Sequence, residues 1–281
     1  MTGSEALRRA VVTLRDAGVD SAPLDARLLL AHAIGMARDR LTLALQEPLD
    51  DRAESAFFTM IAERAARRPV SHILGGRLFF DRWFRVTADV LDPRPETETL
   101  VVAALERPFD RVLDLGTGSG CLLISLLAER PHATGFGTDV SPEALLVARA
   151  NAETLGVLPR AAFGQSDWLS AACGQFDLIV SNPPYIAADE MPDLAAELRR
   201  EPRMALTDEG DGLSAYRVIA RDAPAHLAPG GWLMVEIGPK QGAVVAGLFA
   251  AAGLEAVTIR RDLDDRDRVV AARAPGPGRA T

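Results

Sequence analysis

Apolar positions recur at helical spacing through the first part of the chain and give way, after residue 110, to an alternation of strand and helix patterns. Leu7, Ala10, Val11 and Leu14 predict a first helix that Gly18 ends. Pro23 opens a second over "PLDARLLLAHAIGM", a short helix is expected near residues 39–46, and Asp50 or Asp51 opens a third long one over "DRAESAFFTMIAERAARR". "RPVSHILGG" (68–76) reads as a connector. "RLFFDRWFRV" (77–86) reads as two short strands around Asp81-Arg82. "DPRPETETLVVAALE" (92–106) is a stiff loop running into a helix that Glu96 or Thr97 could cap.

Beyond residue 110 the strands are 111–116, 133–140, the "AAFGQ" segment, "FDLIVS" (176–181) and "GGWLMVEIG" (230–238), with helices at 121–130, 141–156, 212–227 and 241–253. Ser141 caps the second of these helices with Pro142 at its first position. "LEAVTIRRD" and "RVVAARA" close the pattern as two strands with no helix between them, which predicts one antiparallel edge on a mainly parallel, doubly wound sheet. The predicted organisation is a helical domain at 1–68, a connector with a β-hairpin at 69–90, an α/β domain at 91–275 and a disordered tail at 276–281.

Composition narrows the function classes. The chain has 281 residues and a formal charge of −8, whereas a chain that grips duplex nucleic acid usually presents a basic face. Up to residue 80 there are 11 Arg against 10 Asp plus Glu, so the acidity lies in the α/β part. Cys121 and Cys173 adjoin apolar runs and read as reduced, packed thiols. The four histidines are scattered without metal-ligand spacing, so no metal is expected. No apolar run is long enough for a membrane helix, and the N-terminus has no signal-peptide pattern; a cytoplasmic location is expected.

"VLDLGTGSGC" places Gly116, Thr117, Gly118, Ser119 and Gly120 at a strand-to-helix turn, where missing Cβ atoms let a ligand approach the backbone. The dinucleotide fingerprint GxGxxG would need a glycine at Cys121, so a nicotinamide-dependent oxidoreductase has the wrong spacing. GxGxG is the spacing of S-adenosylmethionine (SAM) methyltransferases. Asp139, at the end of the second strand, stands where doubly wound folds bind ribose hydroxyls, or else serves as a charge at the following helix N-terminus. Asp167 can accept from an adenine amine. Trp168 offers a flat face to the purine, or is a packed structural side chain.

"SNPPY" follows the strand 176–181. Pro183 and Pro184 lack N–H groups and fix the turn, which carries Asn182 and Tyr185 at its ends. The Asn182 side-chain oxygen and the Pro183 carbonyl can accept the two N–H groups of a weakly basic, conjugated NH2, and Tyr185 can lie against its plane. Such a pair would aim the nitrogen along a methyl transfer axis with no carboxylate base.

The turn and the glycine loop together resemble the amino-methyltransferases of adenine, cytosine or glutamine. "RPVSHILGG", "PRPETE", "GTDVSPEAL", "QSDWL", "IVSNPPYI", "EPRMALTDEGDGL" and "PGGWLMVEIGPKQG", in this order, resemble the PrmC/HemK family of release factor glutamine methyltransferases. That resemblance implies a seven-stranded Rossmann-like domain behind a helical domain that docks the release factor. It implies SAM contacts from Gly116–Gly120, Asp139, Trp168 and Asn182, with S-adenosylhomocysteine as product. It implies that Asn182, Pro183, Pro184 and Tyr185 hold the glutamine of the Gly-Gly-Gln loop of class I peptide chain release factors. A monomer that binds no nucleic acid directly is expected. The chain departs from the family pattern at Ser71-His72, where that pattern has Gln-Tyr, and at Asp92, where it has an aliphatic residue. The rival reading is a nucleic-acid adenine methyltransferase using the same turn; a SAM-binding protein without turnover is the other.

Overall fold

The computed structural model describes residues 1–276 and divides into two compact units. The predicted tail lies, from residue 277 on, outside the described residues.

The first unit comprises Met1–Gly76 together with Ala195–Arg200. Helices α1 (Gly3–Asp16), α2 (Ala22–Ala33), α3 (Leu41–Ala44) and α4 (Asp51–Ala65) bury Ala6, Ala10, Leu14, Leu29, Leu30 and Phe57 in one core. Leu7 and Val11, on the predicted apolar stripe, are only partly buried at its margin. Thr2 and Glu5 form a reciprocal capping box on α1, and Asp50 caps α4 by accepting from the Ala53 N–H at 2.7 Å. The predicted connector contains a helix, α5 (Val70–Leu74), because Pro69 leads directly into it and Gly75 ends it at φ 71°. Arg64 is buried and pairs with Asp25 and with Glu197, each at 2.7 Å, so the segment 195–200 is held by charge inside this unit.

The second unit begins at Arg77, inside a hairpin of β1 (Gly76–Phe79) and β2 (Arg82–Arg85) that the alternation predicts. Helix α6 (Glu98–Leu105) follows. Neither expected residue caps it: Thr97 makes no capping bond, and its side chain turns inward to the site described below. The large sheet is built from β3 (Arg111–Leu115), β4 (Thr134–Asp139), β5 (Ala161–Gln165), β6 (Phe176–Ser181), β7 (Leu227–Glu236), β8 (Glu255–Arg261) and β9 (Asp267–Arg273). Its strand order is β5-β4-β3-β6-β7-β9-β8. Helices α7 (Cys121–Glu129), α8 (Pro142–Thr154), α9 (Ser214–His226) and α10 (Gly242–Ala251) complete the alternation. Val112, Leu178 and Met234 face one apolar cluster with α6, α7 and α8; Leu113, Ile179 and Leu233 face another with α9 and α10. Both faces of the central strands are therefore covered, which explains their continuous apolar runs.

The antiparallel strand is not at the edge. β9 inserts between β7 and β8 and runs antiparallel to both, so β8 forms the edge. The physical reason is in the side chains: "VVAA" (269–272) is apolar throughout and buries both faces, whereas β8 is largely exposed.

Asn151 on α8 locks the hairpin to the glycine turn. It is 2% exposed. Its Oδ1 accepts from the Arg85 N–H at 2.8 Å, and its Nδ2 donates to the Arg85 carbonyl at 3.1 Å and the Ser119 carbonyl at 2.8 Å. Asn151→Ala leaves three backbone groups without this partner, the Ser119 carbonyl among them buried, and we expect a loss of about 1–3 kcal/mol in denaturant unfolding. A loss within measurement error would show that the clamp is not structural.

Candidate active site

The sheet reverses direction of growth between β3 and β6, since β4 and β5 lie to one side and β6 and β7 to the other. At such a switch point the loops leaving the two strands diverge and open a crevice at their carboxyl ends. Here the register pairs Leu115 with Ser181, and the Ser181 hydroxyl donates to the Leu115 carbonyl at 2.7 Å. The next residue on each strand is Gly116 and Asn182.

A cavity opens there, lined by Gly116–Ser119, Asp139, Asp167, Trp168, Asn182 and Pro184. All of these are predicted site residues. Of the others, Gly120, Pro183 and Tyr185 do not line this cavity. Gly120 serves packing: a Cβ there would stand 2.7 Å from Ile124 Cδ1 and 3.2 Å from the Ala148 Cβ, so glycine lets α7 approach α8. Gly118 has φ +54°, and a Cβ would meet nothing within 4 Å, so its backbone is bare toward open space. Thr117 and Ser119 turn their side chains into the protein, and the Thr117 hydroxyl donates to Asp114 Oδ2 at 2.6 Å. The face this loop offers a ligand is therefore mainly backbone.

Asp139 holds that loop from the side. Its Oδ2 accepts from the Gly118 N–H at 2.9 Å and its Oδ1 from the Ser141 N–H at 3.0 Å. It braces the glycine turn and the start of α8, and each oxygen keeps a lone pair for a further donor. Trp168 sits at φ +50°, an uncommon backbone for a bulky residue. Its carbonyl accepts from Ser166 Oγ at 2.9 Å and Thr138 Oγ1 at 3.4 Å, which holds that conformation, and its ring edge comes within 3.9 Å of where a Cβ on Gly116 would be. Asp167 beside it is exposed.

The Asn182–Tyr185 turn is fixed at both ends by residues outside its motif. Asn182 Nδ2 donates to Thr97 Oγ1 at 3.3 Å. Among the described residues no group donates to Asn182 Oδ1 or to the Pro183 carbonyl. At the far end Gln241 Nε2 donates to the Tyr185 carbonyl at 2.9 Å and the Gly212 carbonyl at 3.1 Å, while its Oε1 accepts from the Gly238 N–H at 2.9 Å. Burial, reinforced by the charge of Glu236, pushes the Tyr185 phenol up to about 12, so it stays neutral. Burial likewise pushes the Cys121 thiol to about 12, which removes it as a nucleophile.

Three positioning groups escaped the sequence reading. Glu201 accepts both bonds of a fork from Arg94 Nη2, at 2.6 and 2.7 Å, and one from the Asp92 N–H at 3.1 Å. It thereby pins the loop that carries Thr97. Asp92, the departure from the family pattern, is buried and pairs with Arg77 at 2.7 Å. Glu236, at the end of β7, is 1% exposed. Nothing local marks Glu201 or Gln241, since their partners are far away in sequence. Glu236 had a signal: it is the one charged residue in the apolar run "WLMVEI".

These features define a Rossmann-like domain with a cavity between a bare glycine turn and a proline-locked turn. The comparisons sharpen that class. Residues 5–75 match the PrmC N-terminal domain, and residues 91–215 match the methyltransferase small domain. A release factor glutamine methyltransferase of Cereibacter sphaeroides is 58% identical over 98% of this chain and 99% of its own length. One from Rhodospirillum rubrum is 46% identical over 96% of this chain and 85% of its own. A methyltransferase structure from Pyrococcus furiosus, 18% identical, covers 76% of this chain and 99% of its own with a TM-score of 0.56, and so shares the fold. The chain belongs to the PrmC/HemK family of release factor glutamine methyltransferases.

Asp114, at the heart of β3, gives a test of the electrostatics. Burial raises its carboxyl from 3.8 to about 7, against the opposing Thr117 hydrogen bond. Between those two values the folded chain holds a proton that the unfolded chain has lost, so this group's contribution to stability falls as pH rises through the window. Relative to Asp114→Asn, the wild type should lose unfolding free energy from about pH 4 to pH 7 and then stay level. A difference that does not vary with pH would contradict the buried-acid assignment.

Proposed function

We propose that the cavity beside the glycine turn is the SAM site and that the Asn182–Tyr185 turn is the substrate site. The observation that carries this reading is the pairing of Leu115 with Ser181, which sets a bare backbone cradle next to two unfilled oxygen acceptors. The backbone of Gly116–Gly120 would accommodate the methionine portion. The remaining lone pairs of Asp139 would receive the ribose hydroxyls, and Trp168 with Asp167 would flank the adenine. SAM, when bound, supplies a sulfonium methyl already activated for transfer, and no metal enters the chemistry.

The protein methylates a glutamine of release factors, and in our reading the target is the side-chain amide nitrogen of the glutamine in the Gly-Gly-Gln loop of class I peptide chain release factors. An amide nitrogen is a poor nucleophile because its lone pair is delocalised into the carbonyl. In our reading Asn182 Oδ1 and the Pro183 carbonyl each accept one of its N–H groups. Two fixed acceptors orient the nitrogen and favour its pyramidal form, in which the lone pair points at the acceptor's methyl donor. Pro184 keeps the turn from yielding, and the neutral Tyr185 ring packs against the planar amide. The amide proton becomes acidic only after methyl transfer, so no strong base is required. Well-oriented reactants can lower a barrier by roughly 7–11 kcal/mol, and preplaced dipoles add to that without reorganising.

The first unit would dock the body of the release factor. Its near-neutral charge and the chain's overall −8 favour a protein substrate over nucleic acid. No helix among the described residues is long and apolar enough to cross a membrane. Our reading is of a monomer acting in the cytoplasm.

Incubation with SAM and a release factor should add one methyl, which tandem mass spectrometry places on the glutamine of Gly-Gly-Gln. Asn182→Ala should lower kcat by about 10²–10³ while SAM still binds. Methylation of DNA alone, or full turnover in that variant, would overturn the reading. Separately, Asp139→Ala should weaken SAM binding about 10- to 100-fold by calorimetry, the range for hydrogen bonds to a charged group. An unchanged dissociation constant would leave Asp139 a purely structural brace.

A further inference from the structure

The Asn182 carboxamide has two faces that a methyltransferase cannot interchange. If its NH2 faced the substrate, it would repel the amide N–H groups it is meant to accept. What decides the orientation lies one layer deeper. Thr97 Oγ1 is 3.3 Å from Asn182 Nδ2, and Thr97 is 1% exposed. On its other side Thr97 adjoins the Glu236 carboxylate, also 1% exposed, whose buried Oε2 has no hydrogen-bond partner. Glu236 and Asn182 end neighbouring strands, one residue beyond the Ser181–Val235 pair.

We infer that Glu236, acting through the Thr97 hydroxyl, is a positioning residue that sets the Asn182 carboxamide with its oxygen toward the substrate. This rests on the reading that Asn182 Oδ1 holds the acceptor amide. The polarity follows from donor counts. An ionised carboxylate only accepts, so the Thr97 O–H must donate to Glu236. The Thr97 oxygen is then left with lone pairs, and Asn182 can satisfy one only by presenting its NH2. Its Oδ1 is thereby forced outward. When Glu236 takes up a proton it can donate to Thr97, and the hydroxyl is free to turn its own hydrogen on Asn182. The carboxamide then gains by flipping, and the substrate loses an acceptor.

The groups around Glu236 place that exchange near neutrality. Burial raises its carboxyl from 4.5 to about 7, and Glu96 pushes the same way; the Thr97 bond, Arg268 and Arg94 oppose it. Tyr185 and Tyr216 also face it, both neutral, and the Tyr216 hydroxyl donates to the Glu236 backbone carbonyl at 2.8 Å. Ionisation of Glu236 would therefore switch the acceptor turn on as pH rises.

The test uses the full chain with SAM and an intact release factor. Thr97→Val removes the hydroxyl at nearly constant shape and should lower kcat about tenfold, the worth of one neutral hydrogen bond, with SAM affinity unchanged. Thr97→Ser should restore the loss. Wild-type kcat should fall on the acid side of about pH 7, and Glu236→Gln should abolish that limb. The 13C-carboxyl resonance of Glu236 should titrate with the same midpoint. Unchanged kcat in Thr97→Val, no rescue by Thr97→Ser, or an acid limb that survives Glu236→Gln would each overturn the inference. Asn182→Ala in parallel separates the two levels: if it too retains full activity, the substrate-site reading fails as well, and if it alone is inactive, only the relay is lost. Should Thr97→Val not fold, the Glu236→Gln pH profile and the carboxyl titration decide.

Discussion

The whole site depends on one strand pairing. β3 and β6 run parallel and in register to their last residues, and the Ser181 hydroxyl ties the two ends together through the Leu115 carbonyl. Side chains on a strand alternate faces, so a slip of one residue would turn Asn182 away from the glycine turn and exchange the apolar side chains of β6 between the two clusters they pack in. The glycine turn and the Asn182–Tyr185 turn are thus neighbours because of this pairing. On the proposed reading, the activity depends on the same strand register that holds the sheet together.

Around that pairing the protein spends polar groups on stiffness. Asn151 fastens the hairpin to the glycine turn, Arg94 and Glu201 pin the loop carrying Thr97, and Gln241 grips the backbone after the two prolines. None of these needs to touch a substrate. Each removes a direction in which the reactive turn could move, and positional catalysis requires that restraint. The buried acids Asp114 and Glu236 fit the same logic: both are kept at an energetic cost next to groups whose orientation they fix.

Much of this was legible in the chain. The alternation after residue 110 gave the doubly wound sheet, and GxGxG separated the cofactor class from the dinucleotide one. The proline pair after an apolar strand pointed to a rigid acceptor turn, and the structure brings Asn182 beside Gly116 as that reading requires. Local pattern failed where the deciding partner is distant. The last two strands look alike as hairpin arms, and only packing on both faces puts β9 inside and β8 at the edge. Thr97 reads as a helix cap by position, yet tertiary packing draws it inward to Asn182. Val70–Leu74 lies between Pro and Gly in a short segment, so the breakers that suggested a connector turned out to be the bounds of one helical turn.

The most direct test is a crystal structure with S-adenosylhomocysteine and a Gly-Gly-Gln peptide bound together. The account predicts the glutamine amide nitrogen at hydrogen-bond distance, about 3 Å, from both Asn182 Oδ1 and the Pro183 carbonyl, with the thioether sulfur beyond it on the side of Gly116. A bound glutamine whose nitrogen meets neither oxygen, or an Asn182 whose NH2 faces the peptide, would contradict it.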